Sequence, residues 1–371
     1  MENSPLIGVL FYALGGLAGA SFYLPLNGVK KWAWESFWMI YALAGLIVVP
    51  WTLAMLLSPN VFDVLGAAEA RTLALCFVFG AMWGIGGLTW GLMIRYLGVG
   101  LGLAIGAGIC ASVGTLMPPV FKGEFMGLLE TSSGIATLVG VGIAVFGIAG
   151  VGMAGMSKEN ELSEEQKKQG VVEYNFPLGL TVAIFSGVMS AGMALGIREG
   201  DALKALAGQV EPVTPDNWRG LPVLVVVLAG GALINIVWCI GLNLKNRTAG
   251  NYADSSMPLV PNYALAALAG FIWYLQFLLL TIGDGYIGPL AFSGWTVLMP
   301  SMILFSTVFG IALKEWKGTS GRTRGLLGMG LAFLLASLIV IGYGNFLRET
   351  PAPTPATDQQ PIPVVAPDTP E

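Results

Sequence analysis

The sequence predicts an all-α membrane protein with about ten transmembrane helices, arranged as two inverted five-helix repeats. Three observations lead to this prediction. Only 11% of the 371 residues are charged and 55% are hydrophobic, whereas a soluble domain carries roughly 25% charged residues. Ten nearly uncharged runs each reach the roughly 20 residues that a helix needs to cross a bilayer. The most polar internal stretch divides these runs into two sets of five, and an odd number per half gives the halves opposite orientations.

The ten runs determine the predicted order of helices along the chain. The first is interpreted as a retained helix, because it lacks the positively charged start of a cleavable signal peptide. Proline at position 300 interrupts the ninth run, and small residues dominate the sixth. The predicted spans are 5–28, 34–57, 71–94, 98–119, 131–153, 176–197, 219–243, 260–282, 286–312 and 322–346.

Four regions follow from this division. Residues 1–156 form the first repeat, 157–175 a polar cytoplasmic linker, 176–346 the second repeat, and 347–371 a disordered, acidic, proline-rich tail. Loops on the side of the linker hold twelve of the 18 lysines and arginines, and the opposite loops hold six. Because short basic loops stay in the cytoplasm, we expect both termini to lie outside it.

Several function classes are not supported by the residues present. Cys76, Cys110 and Cys239 are isolated within apolar runs, which indicates buried packing residues rather than a redox or metal site. The chain has no histidine, and no nucleotide-binding or enzyme motif is present. We therefore expect no enzyme activity, no metal, no cofactor and no nucleic-acid partner. Any proton chemistry must use carboxylates.

The densest pattern lies in "FGAMWGIGGLTWGLMIRYLGVGLGLAIGAG", residues 79–108. Glycines spaced four apart line helix faces and allow close helix crossing; they are Gly80, Gly84, Gly87, Gly91, Gly98, Gly102 and Gly106. Trp83 and Trp90 are seven residues apart and share a face. Their indoles can be packing groups, or they can stack on the apolar face of a sugar ring and donate to its hydroxyls.

Further candidates lie in the second half of the chain. Trp273, Gln276 and Phe277 are spaced to form one face of the eighth span, and Asn235 lies in the middle of the seventh. A buried amide needs a hydrogen-bond partner, so each amide either joins two helices or contacts a substrate hydroxyl. Trp295 lies on the ninth span.

Two acids are candidates for proton coupling. Glu35 follows Lys30 and Lys31 and begins the second span. There it either caps the helix, whose N-terminus stabilises a negative charge, or belongs to a working site. Asp284 falls between the eighth and ninth spans, and a solvated position in a short turn is the favoured interpretation.

Six stretches resemble one known family of carriers. They are "SFYLPLNGVKKWAWESFW", "FGAMWGIGGLTWGLMIRYLG", "VGTLMPPV", "GGALIN", "WYLQF" and "LKEW", found in that order between about residues 8 and 345. Together they are similar to the L-rhamnose/proton symporters of the drug/metabolite transporter superfamily. The resemblance implies a multi-pass carrier of the bacterial inner membrane that imports L-rhamnose, or a related deoxy-sugar, with a proton.

The resemblance also bears on single residues. Glu35 matches an acid of the family motif, written "KKWAWE" here. Tyr23 and Asn27, within the first matching stretch, complete the candidate sugar contacts. The expected partners are a small sugar, protons and the lipid bilayer. An exporter of drugs or metabolites, a carrier of another sugar, and a membrane receptor whose tail binds a partner remain alternatives.

Overall fold

The computed structural model describes residues 5–26, 28–161, 175–287, 294–312 and 316–347. Within these ranges the chain forms helices joined by turns, without a β-strand. Nine of the described helices are long and apolar enough to cross a membrane, and a shorter apolar stretch at Ile105–Phe121 provides a tenth. The prediction of an all-α, multi-pass membrane protein with about ten helices is confirmed.

The first half of the chain begins with a broken helix. Phe22 separates its two parts, α1 (Pro5–Ser21) and α2 (Tyr23–Leu26). A π-helical turn at Ala44–Val48 joins α3 (Trp34–Leu43) to α4 (Val49–Leu57), and the two form one crossing. The other helices of this half are α5 (Val61–Ala67), α6 (Ala70–Phe121), α7 (Phe125–Leu129) and α8 (Ser132–Glu161).

The second half begins with another broken helix, interrupted at Ala191. Its first part starts where the Asn175 side chain accepts a hydrogen bond from the Leu178 N–H, which satisfies one of the free amides of a helix N-terminus. The helices are α9 (Phe176–Ser190), α10 (Gly192–Glu199), α11 (Asp201–Ala207), α12 (Leu221–Asn246), α13 (Leu259–Ile287), α14 (Gly294–Ala312) and α15 (Gly321–Phe346).

The long segment α6 contains both the third and the fourth predicted spans. In a straight helix, Met93 and Gly106 would be about 20 Å apart along the axis. The Met93 sulfur instead lies 2.6 Å from the position that a Cβ on Gly106 would take. The segment therefore turns back on itself between these residues, and its two limbs make two crossings.

Glycines on the first limb of α6 allow close packing, as the sequence predicts. A Cβ on Gly80 would lie 1.8 Å from the carbonyl oxygen of Val227 on α12, and one on Gly84 would lie 3.1 Å from the Cα of Gly231. Gly87 has no such neighbour within 4 Å. The predicted glycine spacing therefore brings α6 against α12 at Gly80 and Gly84; the surroundings of Gly91, Gly98 and Gly102 lie outside the described part of the chain. The three cysteines are buried and free, as predicted.

The eighth helix is longer than the sequence suggests. The predicted span ends at residue 282, but α13 continues to Ile287 and includes Asp284, which is 8% exposed. The interpretation of Asp284 as a solvated acid in a turn is therefore wrong. The ninth predicted span begins at residue 286, within α13, whereas α14 spans Gly294–Ala312 and remains helical through Pro300. The physical reason is that the Asp284 charge is matched by cations inside the protein, as described below.

Helix contacts define two ends of the bundle. α1 packs against α13 and α14, α9 and α10 pack against α6, and α8 packs against α15. We call the end at which α1 begins and α13 finishes the N-terminal face. We call the opposite end, where Lys30 hydrogen-bonds to Asn262 at the start of α13, the Lys30 face.

Candidate functional site

A column of aromatic side chains runs from the Lys30 face into the bundle. In spatial order its members are Trp34, Trp38, Tyr41, Trp273, Phe277 and Trp295, with Trp83 beside Trp273. Neighbouring ring centroids lie 4.6–6.4 Å apart, within the range of favourable aromatic pairs. The fold thus brings together three of the predicted sugar contacts, Trp83, Trp273 and Trp295.

The inner end of this aromatic column carries a donor without a strong acceptor. Trp295 is 4% exposed, and its indole N–H meets no oxygen or nitrogen acceptor among the described residues; the thiol of Cys110, a weak acceptor, is the only side chain paired with it there. The nitrogen lies against Gly114, where an added Cβ would be only 2.6 Å away. A buried donor without an acceptor costs roughly 1–3 kcal/mol. An acceptor supplied by a ligand, such as a hydroxyl oxygen, would remove that cost.

The two predicted amides have different surroundings. Asn235 accepts a 2.9 Å hydrogen bond from the indole N–H of Trp38 and donates to the Gly231 carbonyl. It therefore joins α12 to α3, which is the interhelical alternative. Gln276 is 3% exposed, and its Oε1 lies against Gly19 of α1. The spacing predicts that Trp273, Gln276 and Phe277 share one face of α13. Trp273 and Phe277 belong to the aromatic column, whereas the Gln276 side chain points toward α1.

The remaining candidate sugar contacts lie apart from the column. The indole N–H of Trp90 donates a 2.7 Å hydrogen bond to the Ser190 hydroxyl, at the break between α9 and α10. Tyr23 begins α2, but its side chain is outside the described part of the chain, and Asn27 lies wholly outside it. The structure therefore gives no contact for either residue.

Asp284 sits at the N-terminal end of the face that carries the aromatic column. Trp273, Phe277 and Asp284 are spaced by four and seven residues, so they lie on one side of α13. The carboxylate accepts hydrogen bonds from three other helices. The donors are the Tyr12 hydroxyl at 2.9 Å, the Arg198 guanidinium at 3.1 Å and the Lys204 ammonium at 3.1 Å.

These partners explain how a charge is tolerated in this position. The side chains of Arg198 and Lys204 are only 12% and 18% exposed, so the ion pairs are shielded from water. Removing one partner from such a pair costs several kcal/mol, because it leaves an uncompensated charge. The charge network continues to the surface, where Lys204 lies 3.3 Å from Asp201 and Asp201 lies 2.7 Å from Lys122.

Tyr12 reaches Asp284 because two glycines leave room for its ring. A Cβ on Gly283 would lie 2.6 Å from the Tyr12 ring, and one on Gly294 would lie 2.7 Å from it. The ring is fully buried between α13 and α14. The phenol is thus held beneath the Asp284 carboxylate by the packing of three helices.

Glu35 lies at the Lys30 face and has neutral partners. It is in the first turn of α3, as predicted, and is 5% exposed. Its Oε1 accepts hydrogen bonds from Thr248 at 2.7 Å and Asn246 at 3.0 Å. Its two side-chain partners are therefore Asn246, the last residue of α12, and Thr248 in the segment that follows that helix. The alternative that Glu35 caps α3 stays a prediction.

The segment that follows α12 makes further hydrogen bonds to the helices. Asn251 donates to the Ser36 hydroxyl at 3.1 Å, and Asn243 donates to the Tyr252 hydroxyl at 3.1 Å. Burial raises the pKa of Tyr252 above its ordinary value of 10.0, so its phenol stays neutral. Glu35 is therefore hydrogen-bonded by neutral amide and hydroxyl donors, whereas Asp284 forms ion pairs with two cations.

Sequence reasoning missed Tyr12, Arg198 and Lys204. Arg198 and Lys204 counted only as basic residues opposite the linker, and Tyr12 is one aromatic residue in an apolar run. Their partner is 80 to 272 residues away in the sequence. The one available signal was the presence of an arginine and a lysine close to an apolar span. In the described ranges, no cluster of three or more metal-ligating side chains occurs.

Comparison with known proteins gives consistent matches over almost the whole chain. A family model described as L-rhamnose-proton symport protein matches residues 1–346. An L-rhamnose-proton symporter of Yersinia pestis (strain Pestoides F) is 35% identical over 349 residues, which cover 93% of this chain and 99% of that relative. An L-rhamnose-proton symporter of Citrobacter koseri is 34% identical over 352 residues, again covering 93% and 99%.

Proposed function

Because the chain belongs to the L-rhamnose-proton symport protein family, we propose that it imports L-rhamnose, or a related deoxy-sugar, together with a proton. Transport proceeds by alternating access, in which the substrate path opens to one side of the membrane at a time. The protein is a secondary transporter rather than an enzyme, and it belongs to the drug/metabolite transporter superfamily. Its location is the bacterial inner membrane.

The aromatic column between two buried carboxylates is the observation that supports this function within the structure. Asp284 lies at the N-terminal end of the column and Glu35 at the Lys30 end. A sugar offers apolar C–H faces to aromatic rings and hydroxyls to polar groups. A proton-coupled carrier also needs at least one acid that changes charge during the cycle. The column and its two acids supply both requirements along one path.

Within this path we assign separate roles to the candidate side chains. Trp83 and Trp273 stack against the sugar ring, and the indole N–H of Trp295, which has only the weak Cys110 thiol as acceptor, donates to a hydroxyl oxygen. Gln276 can bind a second hydroxyl if its amide turns from Gly19 toward the path. Asn235 positions Trp38 through their hydrogen bond. Tyr23, Asn27 and Trp90 remain candidate contacts without a described place in the column.

We assign the proton to the two acids, one at each end of the path. Protonation neutralises a carboxylate and so changes which groups it can hold. At Asp284 these groups are Arg198 and Lys204, and at Glu35 they are Asn246 and Thr248. A ligand shifts the balance between two conformations only through its different affinity for each. Neutralising a carboxylate that binds cations in one conformation supplies such a difference.

We propose that the path lies between two inverted repeats, which comprise residues 1–156 and 176–346. The contacts of α1 with α13 and α14 correspond to those of α9 with the second limb of α6, at Gly187, and of α10 with its first limb, at Gly192. The helix breaks correspond as well. If "GLAGASFYLP" at 16–25 is aligned with "FSGVMSAGMA" at 185–194, Phe22 matches Ala191. Interrupted helices at matching positions of two halves are typical of transporter binding sites.

We place the 157–175 linker in the cytoplasm and both termini outside it. The distribution of twelve lysines and arginines against six supports this orientation. In that orientation Asp284 and its partners face the exterior of the cell, and Glu35 faces the cytoplasm. The tail from residue 347 takes no part in transport, so a chain lacking residues 350–371 should transport normally.

Uptake into proteoliposomes tests the proposal. Labelled L-rhamnose should accumulate against its gradient when the outside is acidic, and a protonophore should abolish this accumulation. Unlabelled deoxy-sugars of related stereochemistry should compete, and D-glucose is the control sugar. If L-rhamnose neither enters nor competes, the sugar assignment fails. If transport is driven only outward, the exporter alternative holds instead.

A further inference from the structure

The Asp284 carboxylate is the meeting point of four helices at the N-terminal face. Tyr12 reaches it from α1, Arg198 from α10 and Lys204 from α11, while Asp284 itself belongs to α13. α1 and α13 belong to one side of this contact, and α10 and α11 to the other. The two ion pairs therefore connect elements that would have to separate if a path opened at this face.

We propose that Arg198 and Lys204 are the counter-charges that hold Asp284 ionised and keep this end of the path closed, and that protonation of Asp284 releases them. The inference rests on the proposed function, since it describes how the proton acts in that transport. Arg198 and Lys204 are positioning residues, because they act on the carboxylate rather than on the sugar. Tyr12 is the neutral donor that sets the carboxylate's orientation.

The charges around Asp284 support a reversible release. Asp201 lies 3.3 Å from Lys204 and within electrostatic range of Arg198. Both cations thus have a second carboxylate nearby, on the surface side of the cluster. When a proton from the exterior binds an Asp284 oxygen, the neutral acid no longer attracts them, and Asp201 remains to balance their charge. When the proton leaves, the original ion pairs form again.

The other charged groups described near this end of α13 form no ion pair with Asp284 and interact with other residues. Asp216 belongs to a short 3-10 turn that packs against α13, and it pairs with Arg219 at 2.6 Å. Glu199 follows Arg198 on α10 and lies within electrostatic range of Cys76. Lys122 pairs with Asp201 at 2.7 Å. Thus the described groups in contact with Asp284 are two cations and one phenol, and its ionised form is the one that they stabilise.

The position of Asp284 makes this release relevant to the path. Leu280, one turn below Asp284 on the same side of α13, is 2% exposed. Phe277 and Trp273 of the aromatic column follow deeper on that side. Separation of the ion pairs would therefore admit water first to Leu280 and then to the rings. The closed cluster seals the column from the N-terminal face.

The first test is the pH profile of L-rhamnose uptake by full-length protein in liposomes. In Arg198→Gln, the pH profile of uptake should differ from that of the native protein, because the Asp284 carboxylate loses one of its two ion pairs. Arg198→Lys should restore most of the native profile, which loss of packing alone would not explain. Arg71→Gln, an exposed charge on the same face, is the matched control. A profile unchanged in Arg198→Gln would overturn the proposal.

The second test does not depend on the sugar. Leu280→Cys is introduced into protein in which Cys76, Cys110 and Cys239 are replaced by alanine, and labelling by an impermeant maleimide is followed in nanodiscs. Adding Asp284→Asn, which mimics the protonated acid, should increase the labelling rate several-fold, and Arg71→Gln should not. A monodisperse elution profile confirms that each variant is folded. Equal labelling with and without Asp284→Asn would overturn the proposal, whereas increased labelling together with a lack of L-rhamnose transport by the native chain would reject only the proposed substrate.

Discussion

The Thr248 hydroxyl donates a 2.7 Å hydrogen bond to Oε1 of Glu35, and so joins the start of α3 to the segment after α12. The two residues are 213 positions apart in the sequence. Asn246 donates to the same oxygen at 3.0 Å. Glu35 thus belongs to a contact between the two halves of the chain at the Lys30 face. A change in its charge would act on that contact.

Glu35→Gln should retain the fold but flatten the pH dependence of uptake. Glutamine has nearly the shape of glutamate and keeps one acceptor oxygen for Thr248, but it cannot gain or lose a proton in this range. The measurement is proton-driven accumulation of L-rhamnose across a range of about pH 5.5 to 8.0. Asp63→Asn, an exposed acid on α5, is the control. Native accumulation and pH dependence in Glu35→Gln would exclude Glu35 from coupling.

Thr248→Val should reduce stability while retaining the side-chain volume. The variant removes one hydrogen bond to a charged, buried group, which is worth roughly 1.5–3 kcal/mol. Thermal unfolding of the purified protein in detergent should show a lower midpoint than the native chain. In a Glu35→Gln background the acceptor is an uncharged amide oxygen, so the bond from Thr248 is weaker and Thr248→Val should cost less. Equal costs in both backgrounds would show that the charge of Glu35 adds nothing to this bond.

Trp273→Phe should raise the KM for L-rhamnose with little effect on kcat. The phenyl ring keeps the contact with Phe277 but offers less surface for a sugar. Aromatic contacts of this kind are worth about 0.5–1.5 kcal/mol, which corresponds to a change of roughly 2- to 12-fold in affinity. Trp51→Phe is a suitable control, since Trp51 stacks on Phe62, which is 62% exposed, away from the column. An unchanged KM in Trp273→Phe would remove this residue from the site.

Gly294→Ala should impair transport by displacing Tyr12. The added Cβ would lie 2.7 Å from the Tyr12 ring, which is fully buried and cannot move away freely. The phenol would then lose its hydrogen bond to Asp284, and overpacking of this kind costs roughly 1–3 kcal/mol. Gly142→Ala is the matched control, because nothing lies within 4 Å of a Cβ at that position. Uptake rate and unfolding midpoint should fall in Gly294→Ala alone; equal values in the two variants would contradict the packing argument.

Acidification should weaken the contact between α8 and α15 through Glu161. Hydrogen bonds from Ser320 and Thr323 lower the pKa of Glu161 below its ordinary value of 4.5. A lowered pKa in the folded state means that the stabilisation is present above the unfolded pKa and is lost as the pH falls through the folded pKa. Native protein should therefore lose thermal stability below about pH 4.5, and Glu161→Gln should show a smaller loss. Glu69→Gln, an exposed glutamate before α6, provides the comparison; identical pH dependence in Glu161→Gln and native protein would refute the role.

The number of helices could be predicted because each crossing requires a long apolar run, and such runs are visible without knowledge of the fold. The end of α13 could not be predicted in the same way. The glycines around Asp284 in "TIGDGYIG" are typical of a turn, and a charge there suggests contact with water. The helix continues because Arg198 and Lys204, 86 and 80 residues away, supply the compensating charges.

In the candidate site, too, local features could be predicted from the sequence and contacts between distant helices could not. Spacing alone placed Trp273 and Phe277 on one side of a helix, because the helical repeat is local. It could not show that Trp83 of α6 meets Trp273, that Trp38 donates to Asn235, or that Gln276 turns toward Gly19. These contacts depend on how helices far apart in the sequence pack together. Glycines at the crossing points, such as Gly80 and Gly84, allow that packing but do not reveal the partner.

The sequence by itself determined that the chain crosses the membrane about ten times, since apolar length is a property of the chain alone. Its lack of histidine also predicts that carboxylates carry the proton. Its family resemblance indicated sugar and proton as substrates. Only the tertiary structure decided which surroundings each carboxylate has. Glu35 is bound by neutral amide and hydroxyl donors, and Asp284 by two cations and a phenol. The physical reason is that the stability of a buried charge depends on groups within a few ångströms, which the fold brings together from remote parts of the sequence.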